Sequence, residues 1–204
     1  MNELQWNLTV PDWLAGQACE LRPLSELPQR MARVIEWSAE NVRRGTGGPF
    51  AAGVFQRDTG RLIAPGVNLV LPSGASIAHA EIVALTLAQQ ALGVHDLAAR
   101  GRYELLSTTD PCAMCLGAIP WSGVKRLVCA ADEADAEAIG FDEGDKPTDW
   151  PGQLRRRGIE VMRGICREQA ADVLKRYAQA GGAIYNSAGT LETSSENPAE
   201  PSAN

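Results

Sequence analysis

An α/β fold, with a mixed sheet covered by helices, is what the sequence predicts, on three observations. Two strand-like runs, Phe50 to Gln56 and Leu62 to Leu71, flank the turn Arg57-Asp58-Thr59-Gly60 and read as a hairpin. Beyond them, short apolar runs alternate with helical ones, the pattern of strands joined by covering helices. No internal repeat interrupts that order, and 204 residues suit one well-packed domain with appendages.

Taken in order, residues 1–23, with Pro11 and Trp13, read as a lead-in laid like a strap over the domain surface. From Leu24 to Gly45, Met31, Val34, Ile35 and Trp37 recur near helical spacing; Pro28 falls in the first turn and Gly45 with Gly47-Gly48 supplies the stop. After the hairpin, the loop Pro72 to Ser76 leads into His79-Ala80-Glu81. The following run to Leu92 carries Ile82, Val83, Leu85 and Leu87 on a helix, which puts His79 and Glu81 on its first turn. A strand from Tyr103 to Ser107 precedes Thr109-Asp110-Pro111-Cys112-Ala113-Met114-Cys115, which opens a helix reaching about Trp121. Arg126 to Ala130 reads as a strand. The acidic segment Asp132 to Glu137 runs on to Gly140-Phe141-Asp142-Glu143-Gly144-Asp145. Gln153 to Arg157 reads as a helical turn, Ile159 to Met162 as the last strand, and Glu168 to Ala180 as an amphipathic helix stopped by Gly181-Gly182. Ala183 to Asn186 is a short extended piece. The domain so read covers 24–186; residues 187–204, rich in Ser, Thr, Glu, Pro and Asn, read as a disordered tail.

Charge and cysteine usage narrow the function classes. A net charge of −6 and a pI near 5.0 argue against a surface built to grip nucleic acid or anionic lipid. The one dense basic cluster, Arg155-Arg156-Arg157, reads as a solvated helix face. Met1 to Pro11 lacks the basic start and apolar core of a secretory signal, and no stretch reaches the apolar length of a membrane span. Five cysteines with a single closely spaced pair are the usage of a reducing compartment, so a cytoplasmic protein is expected.

That pair, Cys112 and Cys115, sits at a helix start, where partial positive charge favours thiolates. Alone it could be a redox pair or half of a structural zinc site, and His79-x-Glu81 alone could be two polar residues opening a helix. Pro111 before the first thiol speaks against redox. His95, the only other histidine, lies in a Gly-Val-His-Asp turn and reads as a surface residue, so a closed structural zinc site lacks its fourth ligand. Two cysteinates and one imidazole leave a fourth position for water, the open geometry of a catalytic zinc. Glu81, one acidic group more than coordination requires, stands where a base is needed.

Together, His79-Ala80-Glu81 and Pro111-Cys112-Ala113-Met114-Cys115 resemble the cytidine deaminase-like zinc hydrolases, whose signature pairs His-x-Glu with Pro-Cys-x-x-Cys. The resemblance runs from about Leu24 to Asn186. It implies a three-layer α/β/α domain with a central mixed five-stranded sheet and the two motif helices side by side against it. Gly48-Pro49-Phe50, Asn68, Trp121-Ser122-Gly123-Val124, Ile139-Gly140-Phe141-Asp142 and Ile184-Tyr185-Asn186 look like the bacterial guanine deaminases, in particular the branch that also accepts the triazine ammeline.

The resemblance implies zinc on His79, Cys112 and Cys115, with Glu81 as proton shuttle and Glu143 as a second shuttle for the leaving amine. Asp142 and Asp145 compete for that last role. It implies a planar base stacked between Phe50 and His79, its ring edge on Asn68 and a carbonyl on the Ala80 N–H. Tyr185 would close the pocket, in a homodimer that could exchange its C-terminal segments. Trp121 reads as pocket wall or as core. The expected partner is a small purine or triazine, with neither nucleic acid nor membrane. Cytosine, a cytidine nucleotide and tRNA adenosine are the alternatives of the same chemistry; a non-catalytic zinc-stabilised binding module and a thiol-redox protein are those of other classes.

Overall fold

Alternation along the strands sorts the core into two halves. In a strand, successive side chains point to opposite faces. Thus Leu106 and Val128 join one apolar cluster, with Trp37, Phe55 and Leu174, while Leu105 and Leu127 join another, with Ile119, Trp150 and Leu154. A sheet buried on both faces needs helices on both, and that is the architecture of this computed structural model, which describes residue 7 and residues 9–186. The tail expected over 187–204 lies outside the described residues.

The five strands are β1 (Ala51–Gln56), β2 (Leu62–Val67), β3 (Tyr103–Thr109), β4 (Arg126–Ala131) and β5 (Glu160–Met162), in the order β2-β1-β3-β4-β5. β1 runs antiparallel to both β2 and β3, while β3, β4 and β5 are parallel. The expected mixed sheet is therefore present. One face is covered by α2 (Leu27–Arg43) and α8 (Arg167–Gln179). The other carries α4 (Ala80–Leu92), α5 (Ala113–Ser122) and α7 (Trp150–Arg156), with α4 and α5 in contact.

Several elements differ from the sequence reading, among them a 3-10 turn over Leu97–Arg100 that it did not contain. The lead-in contains a helix, α1 (Asp12–Glu20), which buries Leu14 fully and whose Trp13 indole N–H donates to Thr46 Oγ1 at 3.2 Å. The second hairpin strand ends at Val67, because Asn68 Oδ1 accepts the Val70 N–H and turns the chain into the short α3 (Val70–Ser73). The acidic segment is helical, α6 (Glu133–Glu137), held by a reciprocal capping box between Asp132 and Asp135.

The parallel strands point their C-terminal ends to one edge, where ligands bind in open α/β sheets. At the opposite end lies a buried ionic chain. Glu104, on β3, is fully buried and pairs with Arg30 at 3.0 Å and with Arg126, whose Nε donates at 2.6 Å. Arg30 also donates to the carbonyls of Leu24 and Ser25, tying the start of α2 to the sheet. Removing one partner of such a group strands the other charges away from water. Glu104→Ala is accordingly expected to cost about 3–5 kcal/mol, read as a lowered urea midpoint, whereas exposed Arg43→Ala should cost under about 1 kcal/mol.

Candidate active site

Two helix starts converge at the C-terminal end of β3. Gly66 on β2 allows it: a Cβ there would lie 2.2 Å from the Ala80 carbonyl oxygen, so only glycine lets α4 approach this closely. His79 is the N-cap residue of α4 and Cys112 that of α5. Asp110 fixes the turn between β3 and α5. Its N–H donates to Ala131 O at 3.0 Å, and its carboxylate, buried, accepts from Arg163 Nε at 2.9 Å and from the Glu133 N–H.

This brings one ring nitrogen of His79 and the sulfurs of Cys112 and Cys115 within 4.8 Å of one another. His79 Nδ1 lies 3.4 Å from Cys112 Sγ. Glu81, only 6% exposed, accepts from Ser107 Oγ at 3.1 Å and from Cys115 Sγ at 3.5 Å. Both N-capping positions sit at the positive ends of their helices. His95, by contrast, is exposed and takes no part.

Electrostatics support a cation here. The hydrogen bond from Cys115 pulls the Cys112 thiol down to about 4, with His79 assisting, while the same bond and burial push Cys115 well up. The two sulfurs thus share one proton that a metal would displace. Burial, and then the charge of Cys112, raise the Glu81 carboxyl. Burial disfavours the charged ring of His79, but the bond to Cys112 and the nearby carboxylates outweigh it and raise its pKa. Neither Lys nor Arg is among the described residues lining the cavity. Two thiols, one imidazole and an excess of negative charge are the donor set zinc prefers, with room left for an open position.

The cavity measures about 310 Å³ and gathers the sequence-derived candidates: Phe50, Asn68, His79, Ala80, Glu81, Cys112, Glu143 and Tyr185 all line it, while Cys115 lies fully buried behind the wall. Glu143 is 7% exposed, and burial pushes it up to about 8, with the Cys112 charge adding and Lys146 opposing. Its competitors are placed differently: Asp142 also lines the cavity but is exposed and accepts the Gly144 N–H, and Asp145 faces a second concavity beside Trp121. The side-chain nitrogen of Asn68 and the hydroxyl of Tyr185 are buried without hydrogen-bond partners.

Sequence reasoning missed several residues here. Phe141 stands edge-on to both Phe50 and Tyr185, with centroids 4.9 Å away in each case. Asn186 clasps the same loop, accepting from the Asp142 N–H at 3.0 Å and donating to Gly140 O at 2.9 Å. Thr109 presents another unpartnered buried hydroxyl, and its place beside the Cys motif was the one available signal. Trp121 belongs neither to the wall of this cavity nor to the core: it is 82% exposed beside the second concavity, while Ile119 and Ser122 in the same turn of α5 are buried.

The zinc-binding region of cytidine and deoxycytidylate deaminases matches residues 25–131. The chain belongs to this family. Among solved structures, it is similar to the guanine deaminase from Nitrosomonas europaea, at 47% identity over 88% of this chain and 98% of that one, with a TM-score of 0.83. The guanine deaminase of Bacillus subtilis is 38% identical over 125 residues, 58% of this chain and 77% of its own. A tRNA-specific adenosine deaminase of Haemophilus influenzae is 29% identical over 165 residues, 76% of this chain and 85% of its own. The fold is the family's three-layer α/β/α arrangement and the metal is zinc.

Purified protein is expected to carry about one zinc per chain, and His79→Ala or Cys112→Ala to bring that below about a tenth. Atomic absorption decides it; a Cys112–Cys115 disulfide in metal-free protein would revive the redox reading.

Proposed function

We propose that the protein hydrolyses guanine to xanthine and ammonia, with ammeline as a further substrate. The observation that carries this reading is one cavity, backed by the zinc-binding triad, that unites Glu81 with a second buried carboxyl, Glu143, and the amide nitrogen of Asn68. Likeness to two guanine deaminases supports the substrate.

Zinc, when bound, supplies a Lewis acid that lowers the pKa of a water to about 7. The residues of the chain do the rest. Glu81, held by Ser107 and raised by burial, takes a proton from the attacking water and delivers it to the ring nitrogen next to the amino-bearing carbon. The carbon–oxygen bond forms as that carbon becomes tetrahedral. Glu143, with a value of about 8, carries a proton near neutrality and gives it to the amine as the carbon–nitrogen bond breaks. Ammonia leaves, and as the carbonyl of xanthine forms, the proton of its hydroxyl passes back to Glu143, restoring it for the next turnover.

Binding is assigned to the aromatic and amide groups. Phe50, opposite His79, stacks on the base. Asn68 offers its donor and acceptor to the ring edge, and the Ala80 N–H meets a carbonyl. Tyr185 closes the cavity over Gly48, where a Cβ would lie 2.1 Å from its hydroxyl. A wall without cations among its described residues favours a neutral base over the phosphates of a tRNA.

The finer assembly belongs to the same proposal: a homodimer in the cytoplasm. No described helix is long and apolar enough to cross a membrane. Exposed Trp121, in a concavity lined also by Pro120, Pro147 and Trp150, gives α5 a face suited to a second copy. Within one chain Tyr185 already reaches its own cavity, so exchanged segments would substitute like for like.

Ammonia release from guanine, ammeline, cytosine, cytidine and tRNA tests the substrate; good turnover of cytosine without turnover of guanine would sink it. Glu81→Gln should lower kcat by about 10³-fold with zinc retained, whereas a binding module would lose nothing measurable. Trp121→Glu is expected to shift the protein toward monomer in sedimentation velocity, with unchanged zinc content.

A further inference from the structure

The loop that carries Glu143 is stitched to the metal-binding turn from behind. The Ala113 N–H, one residue past Cys112, donates to the Glu143 carbonyl at 2.9 Å. Gly144 follows in the left-handed region (φ +69), where a Cβ would already press on that of Ala113 at 3.0 Å. The chain doubles back there and returns Lys146 beneath the site.

Lys146 is an unusual residue in this setting. Its side chain is 3% exposed, yet it is not part of the cavity wall. Its ammonium group has three N–H donors and three acceptors around it. Pro111 O, on the residue before the ligand Cys112, lies at 3.0 Å; Glu133 at the start of α6 lies at 3.1 Å; Glu143 lies at 3.8 Å. The first two are hydrogen-bond distances and the third is not. Lys146 therefore attracts the Glu143 carboxyl without occupying it, leaving its oxygens free for a ligand.

We propose that Lys146 is a positioning residue for the deamination, holding Glu143 at a fixed reach from the metal-binding turn by anchoring to the Pro111 carbonyl and facing Glu143 with its charge. This rests on the proton-donor role assigned to Glu143. A buried lysine with only a structural task would satisfy its charge on the nearer, half-exposed Glu133 and need no link to the zinc turn. The link to Pro111 gives one ammonium a hold on both halves of the site. Glutamine at 146 keeps a donor for Pro111 but removes the charge that faces Glu143.

A double-mutant cycle on the zinc-loaded enzyme decides it, with guanine as substrate. Lys146→Gln is expected to lower kcat on the order of tenfold with KM changed by less than about twofold and zinc retained. In a Glu143→Gln background the same substitution should then cost less than about twofold, because the group it acts through is gone. An equal loss in both backgrounds overturns the proposal and makes Lys146 a structural ion pair. Normal turnover of the Glu143→Gln single variant overturns the role of Glu143 itself, a separate failure visible without touching Lys146. If Lys146→Gln loses zinc or does not fold, the cycle is run with Lys146→Met, which removes the same charge while keeping the length of the side chain, and the same outcomes decide.

Discussion

The Cys112 sulfur lies 3.4 Å from His79 Nδ1 inside a wall that also carries the carboxyls of Glu81 and Glu143. Gathering so many groups that tend to negative charge, away from water, is the constraint from which the rest of the site follows. Each must be neutralised, paired or hydrogen-bonded to stay folded. Two helix starts face the sulfurs, Ser107 donates to Glu81, Arg163 binds Asp110 from outside, and Lys146 stands under Glu143. These devices still leave an excess that a divalent cation settles. Folding and metal binding are accordingly linked, since the two sulfurs give up their shared proton to the ion.

The sheet serves this constraint by geometry. Parallel β3 and β4 end at the same edge, so the residues that follow them, Asp110 to Cys112 and the 132–146 stretch, meet there. Asp110 bridges the two strand ends, and α4 reaches the same place over Gly66. The other end of β3 carries Glu104 and its arginines, a buried ionic cluster with no link to the cavity. The two ends of one strand thus hold different kinds of buried charge: closed pairs where stability is needed, unmatched anions where a ligand is to bind.

Much of this could be read from the chain, and the reasons are local. His79 and Glu81, or Cys112 and Cys115, are tied by short spacing and helix periodicity, so their joint placement needs no tertiary knowledge. The five strands were visible because their apolar runs are bounded by turns. Lys146 and Arg163 were illegible, because each is anchored on a partner more than thirty residues away, Pro111 and Asp110, and surface lysines and arginines look the same in sequence; Asn186 was visible within the Ile184-Tyr185-Asn186 resemblance, but the loop it clasps was not. The helix over Asp12–Glu20 was missed for a different reason: its apolar stripe is weak, and its one fully buried side chain is Leu14. Trp121 misled because a large aromatic is usually taken as core, while among the described residues it stands 82% exposed at the edge of the second concavity.

The two carboxyls show why the site needs both a wall and a loop. Glu81 is fixed on the first turn of α4, with Ser107 on one oxygen and Cys115 on the other, so it can shuttle a proton only within reach of the metal. No side chain among the described residues hydrogen-bonds the Glu143 carboxyl, and the nearest cation, Lys146, lies at 3.8 Å. Burial holds it protonated near neutrality, while Lys146 at 3.8 Å limits how far that goes. In the proposed roles, a base on a rigid element and an acid on a tethered loop answer different demands: the first would act at one place set by the metal, and the second would meet an amine whose position moves as its carbon becomes tetrahedral. Asn186 and Tyr185 close over that loop, one by its backbone and one by its phenyl neighbour Phe141. The clasp that walls the pocket and the carboxyl proposed as the acid thus share one support, the loop from Gly140 to Gly144, while the metal-binding residues sit on the two helix starts.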